Sequence, residues 1–586
     1  MRFEKVVDLI EQVEAESGRL AMIDLLKSLF KSMTPEELNK AVYLLQGRIR
    51  PEYEGIELGV ADKLVERALS QLSGLPLETI ENMYADKGDL GLVAEEVVKR
   101  KKQKTLFSRT LTVEEVYNTL YKMATLAGKG SIKYKLDLLL NLLSNASPKE
   151  ARYLVRMVTG KLRLGVGDMS ILDALSEAFL GGKSYRPVLE RAYNLHPDIG
   201  YIAQLAVKEG LEGVKKVGIT LGIPIRMALA ERLKDPEEIL EKMGGRCAAE
   251  YKYDGERIQA HKDDGKIKLF SRRLEDITYQ YPDVVESLKK HLKPERAIVE
   301  MECVAVDPVS GELRPFQELM QRRRKYSIEE MMKKIPVAVK LFDVLYVGGE
   351  DYTLKPYPQR RRKLEEIIIP SEEVDLARKI DVSDVETLEK FFEEAVSEGM
   401  EGIMAKSVDE DSIYEAGARS YRWVKLKREY KSELTDTVDL VIVGAFAGRG
   451  KRAETYGALL LAAYDPENDV FKTVCKCGTG FTDEDLQKLP QMLKPYTLKE
   501  RHPKVVSKID ADYWFEPAIV IECIGAEITL SPIHTCAIDE VKKGSGLAIR
   551  FPRFTGRYRE DKSPREATTE DEILEMYRQK MIKIEG

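Results

Sequence analysis

The stretch AEYKYDGERIQ sets Lys252, Asp254, Gly255 and Arg257 side by side. A lysine attacks an electrophilic phosphorus or carbonyl only as the neutral amine, a form that neighbouring cations or desolvation favour. A second segment, WVKLK, supplies such cations. After Trp423, Lys425 and Lys427 alternate with apolar residues, the pattern of one strand with both ammonium groups on one face. That pair would also hold a phosphate. Gly255, three residues after the lysine, lets the backbone come close to a bound nucleotide. A lysine by itself more often lies solvated on a surface, so its company decides the reading.

That company is extensive. FSRR (Phe270–Arg273), IVEMEC around Glu302, KLFDVL with Phe342 and Asp343, EGIMAK with Glu401 and Lys406, and RFPRFTGRYREDK (Arg550–Lys562) follow in order. The apolar neighbours of Glu302 and Glu401 place them at buried strands, where an unpaired carboxylate is costly. Together with the lysine segment and WVKLK, the set resembles the ATP-dependent DNA ligases of the archaeal and eukaryotic replicative type, in the nucleotidyltransferase superfamily, over nearly the whole chain.

The resemblance implies an enzyme that seals nicks in duplex DNA during replication, repair and recombination. Lys252 would attack the α-phosphate of ATP and form an AMP phosphoramidate. AMP would then pass to the 5′-phosphate at the nick, and the 3′-hydroxyl would displace it. Such chemistry needs positioning and charge neutralisation more than acid and base catalysis. By the same resemblance, Glu250 and the backbone of 251 read the adenine edge and Phe342 stacks on its face. Arg257 and Arg272 contact ribose and phosphate, with Arg272 also placed for the nick's 5′-phosphate. Glu302 and Glu401 are carboxylates suited to Mg²⁺ or Mn²⁺ beside the nucleotide. Arg419, Lys425 and Lys427 neutralise the α-phosphate. Arg550, Arg553, Asp561 and Lys562 reach ATP only when their domain closes over it.

These residues must be carried by separate domains, for which 586 residues suffice. Residues 1–215 show apolar steps of three and four, as in Val6, Leu9, Ile10 and Val13, and helix starts at Thr34, Thr112 and Ser147, each three residues before a glutamate. This predicts an all-α domain, which in the family binds DNA. Within it AGKGS, with Lys129 and Ser131, and TGKLRLGVGDMS, with Lys161 and Arg163, resemble the loops that grip duplex backbone phosphates. QKTLF resembles a peptide that docks on a sliding clamp through Gln103, Leu106 and Phe107. Residues 216–428 mix strand and helix patterns and form the expected α/β (α+β) adenylation domain. PIRMALAE, at its start, departs from the family pattern by carrying Arg226 where many relatives have proline. After the charged linker REYKSE (Arg428–Glu433), residues 429–586 carry VDLVIVGAF, GALLLAAY, VFKTVCKCG, AIVIECIGA and GLAIRF, five strands that suit an OB-fold β-barrel, then a helix with a cap at Thr569.

Composition sets the outer limits. Lys and Arg number 93 against 99 Asp and Glu, a net charge of −6, so contact with nucleic acid must come from local patches. KRKKQK (Lys99–Lys104), RRRK (Arg322–Lys325) and RRRK (Arg360–Lys363) are such patches, or else solvated helix faces. Six cysteines without a CxxC pair and five histidines argue against a disulfide scaffold and a structural zinc, and Cys475 and Cys477 are expected to be buried. No apolar run approaches about 18 residues, which with the composition points to a soluble, monomeric, cytoplasmic protein acting on nicked double-stranded DNA.

Three rivals are weaker. A capping guanylyltransferase or RNA ligase shares the lysine segment but lacks the helical domain and the long RFPRF segment. A non-catalytic nick-binding scaffold needs no lysine nucleophile. An NAD-dependent ligase carries a cysteine-rich zinc segment that is absent here.

Overall fold

The computed structural model describes residues 1–586 apart from 17, 59, 101–108, 163, 165, 307–312, 315, 324–327, 398–399, 428–436, 448–454, 526, 532, 542, 551 and 586. The clamp segment Gln103–Phe107, Arg163 and the linker Arg428–Glu433 therefore lie outside the described residues. The chain divides into two compact units. One comprises Met1–Glu231, Leu240–Asp384 and Met404–Val424, the other Arg232–Ile239, Val385–Ile403 and Lys425–Gly586.

The first unit begins with twelve α-helices from Phe3 to Lys215 among the described residues. The first, Phe3–Ala15, buries Val6, Leu9, Ile10 and Val13, the stripe that the apolar spacing dictates. Thr34, Thr112 and Ser147 each accept a hydrogen bond from the backbone N–H three residues on. Glu37, Glu115 and Glu150 bond back to the N-cap N–H groups, closing three capping boxes. Each cap satisfies donors that a helix start leaves open and contributes about 1 kcal/mol.

The same unit continues as a largely antiparallel sheet. Its strands Lys266–Ser271, Glu256–Asp263, Arg296–Val306, Val337–Val347 and Glu350–Asp351 lie in that order. Alternation gives this sheet two unlike faces. Ile258, Ala260, Val299, Met301, Cys303, Val339 and Leu341 point into a core shared with Leu288, Leu364 and Ile367 of the covering helices. Register sets Arg257 opposite Glu302, and Glu302 opposite Lys340, as one polar row across three strands.

The second unit holds the C-terminal barrel. Val438–Ala447 pairs with Tyr456–Asp465, which pairs with Val470–Cys477. Its first half also pairs with Val520–Ile524, which pairs with Arg553–Tyr558, and a bridge between Thr479 and Arg553 closes the ring. The fifth strand is thus RFTGRY. GLAIR, Gly546–Arg550, instead forms a hairpin with Glu527–Ser531. Cys475 and Cys477 are buried in this core. The last helix, Glu570–Glu585, starts at Thr569, which exchanges hydrogen bonds with Glu572 as expected.

Three arginines of two basic patches prove to be interior, while Arg362 beside them stays exposed and Arg324 and Lys325 lie outside the described residues. Arg360, on the helix Tyr357–Ile367, is fully buried and forks onto the equally buried Asp343 at 2.8 and 3.1 Å, with its third nitrogen on the carbonyls of Lys355 and Ser412. Arg361 is 7% exposed, and Arg322, 2% exposed, pairs with Asp283 at 2.6 Å. Neither a solvated face nor a nucleic-acid contact describes these three. Replacing Arg360 with methionine strands the Asp343 carboxylate and is expected to cost about 3–5 kcal/mol. Urea unfolding followed by Trp423 fluorescence, with Trp514 changed to phenylalanine in both proteins, measures this; a shift below about 1 kcal/mol would contradict it.

Candidate active site

Lys252 ends the strand Cys247–Lys252 and is half-buried. Two residues before it, Glu250 is 2% exposed. One carboxylate oxygen accepts from the Tyr357 hydroxyl and, at 3.2 Å, from Arg361, and the other meets Lys406 Nζ at 2.8 Å. This clamp fixes the strand just below the lysine. Beyond the lysine, Asp254 Oδ2 accepts from the Phe316 N–H at 3.2 Å, and Glu256 accepts from Tyr281 at 2.6 Å. Between them Gly255 lies against the next strand so closely that a Cβ there would stand 2.2 Å from the carbonyl oxygen of Cys303. The lysine is therefore presented from a turn pinned on both sides.

The polar face of the sheet continues the site. Arg257 donates to the Ala228 carbonyl at 2.7 Å and to Glu300 at 2.8 Å. Its guanidinium lies 5.4 Å from the Phe342 ring and 5.3 Å from that of Trp423. Glu300, fully buried, also accepts from Tyr414 at 2.9 Å. Lys406 is enclosed by aromatic faces, its Nζ 4.3 Å from the Trp423 ring, 4.9 Å from Phe342 and 5.0 Å from Tyr357. Burial pushes this amine below its ordinary value, while Glu250 and Asp343 oppose the shift. A half-buried ring at Phe342, a lysine at an ordered strand end and fixed cations are groups suited to a nucleotide base and its phosphates.

The other predicted residues stand as follows. Arg272 and Arg419 are exposed, and Glu302 is half-buried in its row. In the second unit, Lys425 and Lys427 alternate with buried Leu426, and Lys427 pairs with Glu401 at 3.2 Å. Lys562 meets Asp439 at 2.6 Å, beside Arg559 on the same carboxylate at 2.8 Å. Among the described residues no three His, Cys, Asp or Glu side chains form a metal-holding group. Glu302 and Glu401 each offer one hard carboxylate. Each taken by itself is an oxygen donor of the kind Mg²⁺ accepts, since that ion takes one or two protein carboxylates and completes its shell with substrate phosphates and water.

Residues 227–427 match the family model described as ATP dependent DNA ligase domain, residues 2–176 that of DNA ligase N terminus, and residues 452–562 that of ATP dependent DNA ligase C terminal region. Over 581 residues the chain is 57% identical to DNA ligase 2 of Thermofilum pendens, covering 98% of this chain and 96% of that one. It is 51% identical to the DNA ligase of Staphylothermus marinus, with both chains covered in full. The chain belongs to the ATP-dependent DNA ligases. A solved structure titled Pmar-Lig_Pre shares the ligase's fold, with a TM-score of 0.56 at 17% identity over 95% of this chain and 99% of that one. The ligase is an enzyme that uses ATP to seal nicks through an adenylate.

In the ligase's helical region, Lys129 is exposed between Gly128 and Gly130, both with positive φ, ahead of the helix Ser131–Asn145. Lys161 is paired with Asp62 at 2.6 Å and with the Tyr84 hydroxyl at 2.9 Å. No helix among the described residues is long and apolar enough to cross a membrane.

Sequence reasoning left several site residues without a role. Tyr357 was not singled out, Arg361 stood only inside a basic patch, Trp423 only inside WVKLK and Lys406 only inside EGIMAK. The signal for Lys406 was its place on an apolar strand, where a lysine needs a counter-charge. Arg361 carried no such signal, because its carboxylate lies 111 residues away. His261, also missed, is 2% exposed and accepts the Gly222 N–H at 3.0 Å, while Gln259 bonds both the N–H and the carbonyl of Ile225. The two side chains thus stitch the segment leading into this region onto the sheet.

Burial pushes the His261 imidazole down to about 3, with Lys268 adding to the shift. The folded state therefore refuses a proton that the unfolded chain accepts below about pH 6.5. Stability is complete above that pH and falls towards pH 3, by about 1.4 kcal/mol per unit from this group. In His261→Gln the acid limb of a stability–pH curve should be shallower by one proton. An unchanged limb would rule this out.

Proposed function

We propose that Lys252 is the nucleophile of the ligase. Its Nζ attacks the α-phosphorus of ATP, the bond to the β-phosphate oxygen breaks, pyrophosphate leaves and the amine loses its proton to solvent. The AMP then moves to the 5′-phosphate at a nick, and the 3′-hydroxyl displaces it as the phosphodiester forms. What supports this reading is the mounting of Lys252, half-buried on a strand end between the locked Glu250 and the close-packed Gly255. Phe342 offers a ring to the adenine, and Arg257 and Arg272 cations to ribose and phosphate. Glu250 and the backbone of 251 read the adenine edge. Arg419, Lys425 and Lys427 neutralise the α-phosphate. A Mg²⁺ or Mn²⁺ ion held by Glu302 and Glu401 would add charge neutralisation at the phosphates. The adduct formed with α-labelled ATP tests the assignment: a lysine phosphoramidate is acid-labile and survives alkali, and the opposite stability would exclude it.

The domain reading goes with it: residues 1–215 bind DNA, with Lys129, Ser131, Lys161 and Arg163 near its backbone, 216–428 carry adenylation and 429–586 form the mobile barrel. A sliding clamp docks on Gln103, Leu106 and Phe107, and Phe107→Ala should weaken that binding. The ligase works as a cytoplasmic monomer. Arg550 and Lys562 act when the barrel closes on ATP. Lys562→Ala should slow self-adenylation roughly tenfold or more, as expected when one phosphate cation is removed, and spare sealing of a pre-adenylated nick. Equal loss of both steps would refute this.

A further inference from the structure

A cavity of about 190 Å³ lies in the first unit, walled on one side by the helical region and on the other by the FSRR turn. Its lining carries five arginines, Arg48, Arg50, Arg226, Arg272 and Arg273, against two carboxylates, Glu52 and Asp168, a surplus of three positive charges. Three of the arginines are engaged: Arg48 with Glu52 at 2.8 Å, Arg50 with Glu54 at 2.5 Å, and Arg226 with Asp168 at 3.1 Å. Arg272 and Arg273 form no ion pair among the described residues, and both are exposed.

The turn that carries them is rigid. Ser271 accepts the Leu274 N–H on its carbonyl at 2.8 Å, and its hydroxyl accepts from Arg273 at 3.2 Å and Glu275 at 3.3 Å. Leu274 has a φ of 66°, a conformation that leucine adopts only under constraint, with its side chain buried. Two adjacent exposed cations without an ion pair, held at a constrained turn, are open to an arriving anion. Guanidinium forks match a phosphate's paired oxygens.

We propose that this cavity is a second phosphate site, which takes a backbone phosphate of the DNA flanking the nick and is completed jointly by Arg48 and Arg50 of the helical region and by Arg273 beside Arg272. It rests on the reading that the helical region holds duplex DNA. One phosphate gripped from both walls ties the duplex to the helical and the nucleotidyl-transfer regions at once. The same chemistry could come from pyrophosphate or the ATP tail, so the test separates the sources.

Binding of the full-length protein to nicked duplex is measured across a salt series for wild type, Arg48→Gln/Arg50→Gln and Arg273→Gln. Each variant is expected to bind about tenfold more weakly near 0.1 M salt, with the slope of log K against log salt reduced by about 0.9 for each phosphate left without its cation. Self-adenylation by labelled ATP, and reversal of the adduct by pyrophosphate, should keep their wild-type rates. Arg48→Lys/Arg50→Lys should keep most of the slope. Weaker binding without a change in slope, or unchanged binding, would overturn the proposal. Loss of self-adenylation or of pyrophosphate reversal with the slope intact would overturn it in favour of the ATP tail. Arg273, exposed at a turn tip, carries the same test if the double variant does not fold. Failure of wild type to bind nicked duplex would instead sink the underlying reading.

Discussion

Lys252→Ala is expected to accumulate no AMP adduct and to seal nicks slower by roughly four orders of magnitude or more, because the amine that would carry the covalent intermediate is gone. The fold should survive the change. Lys252 is half-buried rather than interior, and the clamp beneath it, Tyr357, Arg361 and Lys406 on Glu250, does not pass through its side chain. The expected pattern is therefore an intact protein that still binds nicked duplex and is inert towards ATP at the covalent step. Sealing of a nick that already carries AMP should fall far less, since the lysine's bond-making is over by then. Labelled adduct at the wild-type level in the alanine variant would remove the basis of the assignment.

Gly255→Ala should lower self-adenylation by roughly a hundredfold while leaving the whole chain folded. The added methyl carbon would stand 2.2 Å from the Cys303 carbonyl oxygen, 2.9 Å from its carbon and 2.9 Å from Val304 Cγ1. Two of these are strand backbone, which cannot swing aside as a flexible side chain would. The turn must lift instead, carrying Lys252 with it. Misplacement of a reacting group by about 1 Å is enough for a loss of that size. The effect should fall on the rate of adduct formation at saturating ATP rather than on ATP affinity. A rate within about threefold of wild type would show that the turn accommodates the methyl group and that its rigidity is not needed.

Much of the scaffold was legible because the local rules suffice for it. A hydroxyl three residues before a glutamate closes a capping box using only its own helix start, as Thr34, Thr112 and Ser147 do. Alternation alone separates Arg257, Glu302 and Lys340 from Ile258, Met301 and Leu341. The barrel was harder. GLAIR and RFTGRY both have strand character, and only the bridge from Thr479 to Arg553 shows which of them closes the ring.

By itself, then, the order of residues determined where helices start, which strand positions share a face, and that one set of lysine, ring and carboxylates suited to nucleotide transfer is spread along the chain. Tertiary structure decided the fate of the charges. Whether an arginine or lysine lies in water or in the interior depends on a carboxylate that is often distant in sequence: 17 residues from Arg360 to Asp343, 111 from Arg361 to Glu250, 123 from Lys562 to Asp439. The desolvation cost of burying a cation is met only when the fold brings such a carboxylate to it. It also brought Arg48, Arg50 and Arg273 around one cavity, since charges of like sign share a wall only where the backbone holds them there.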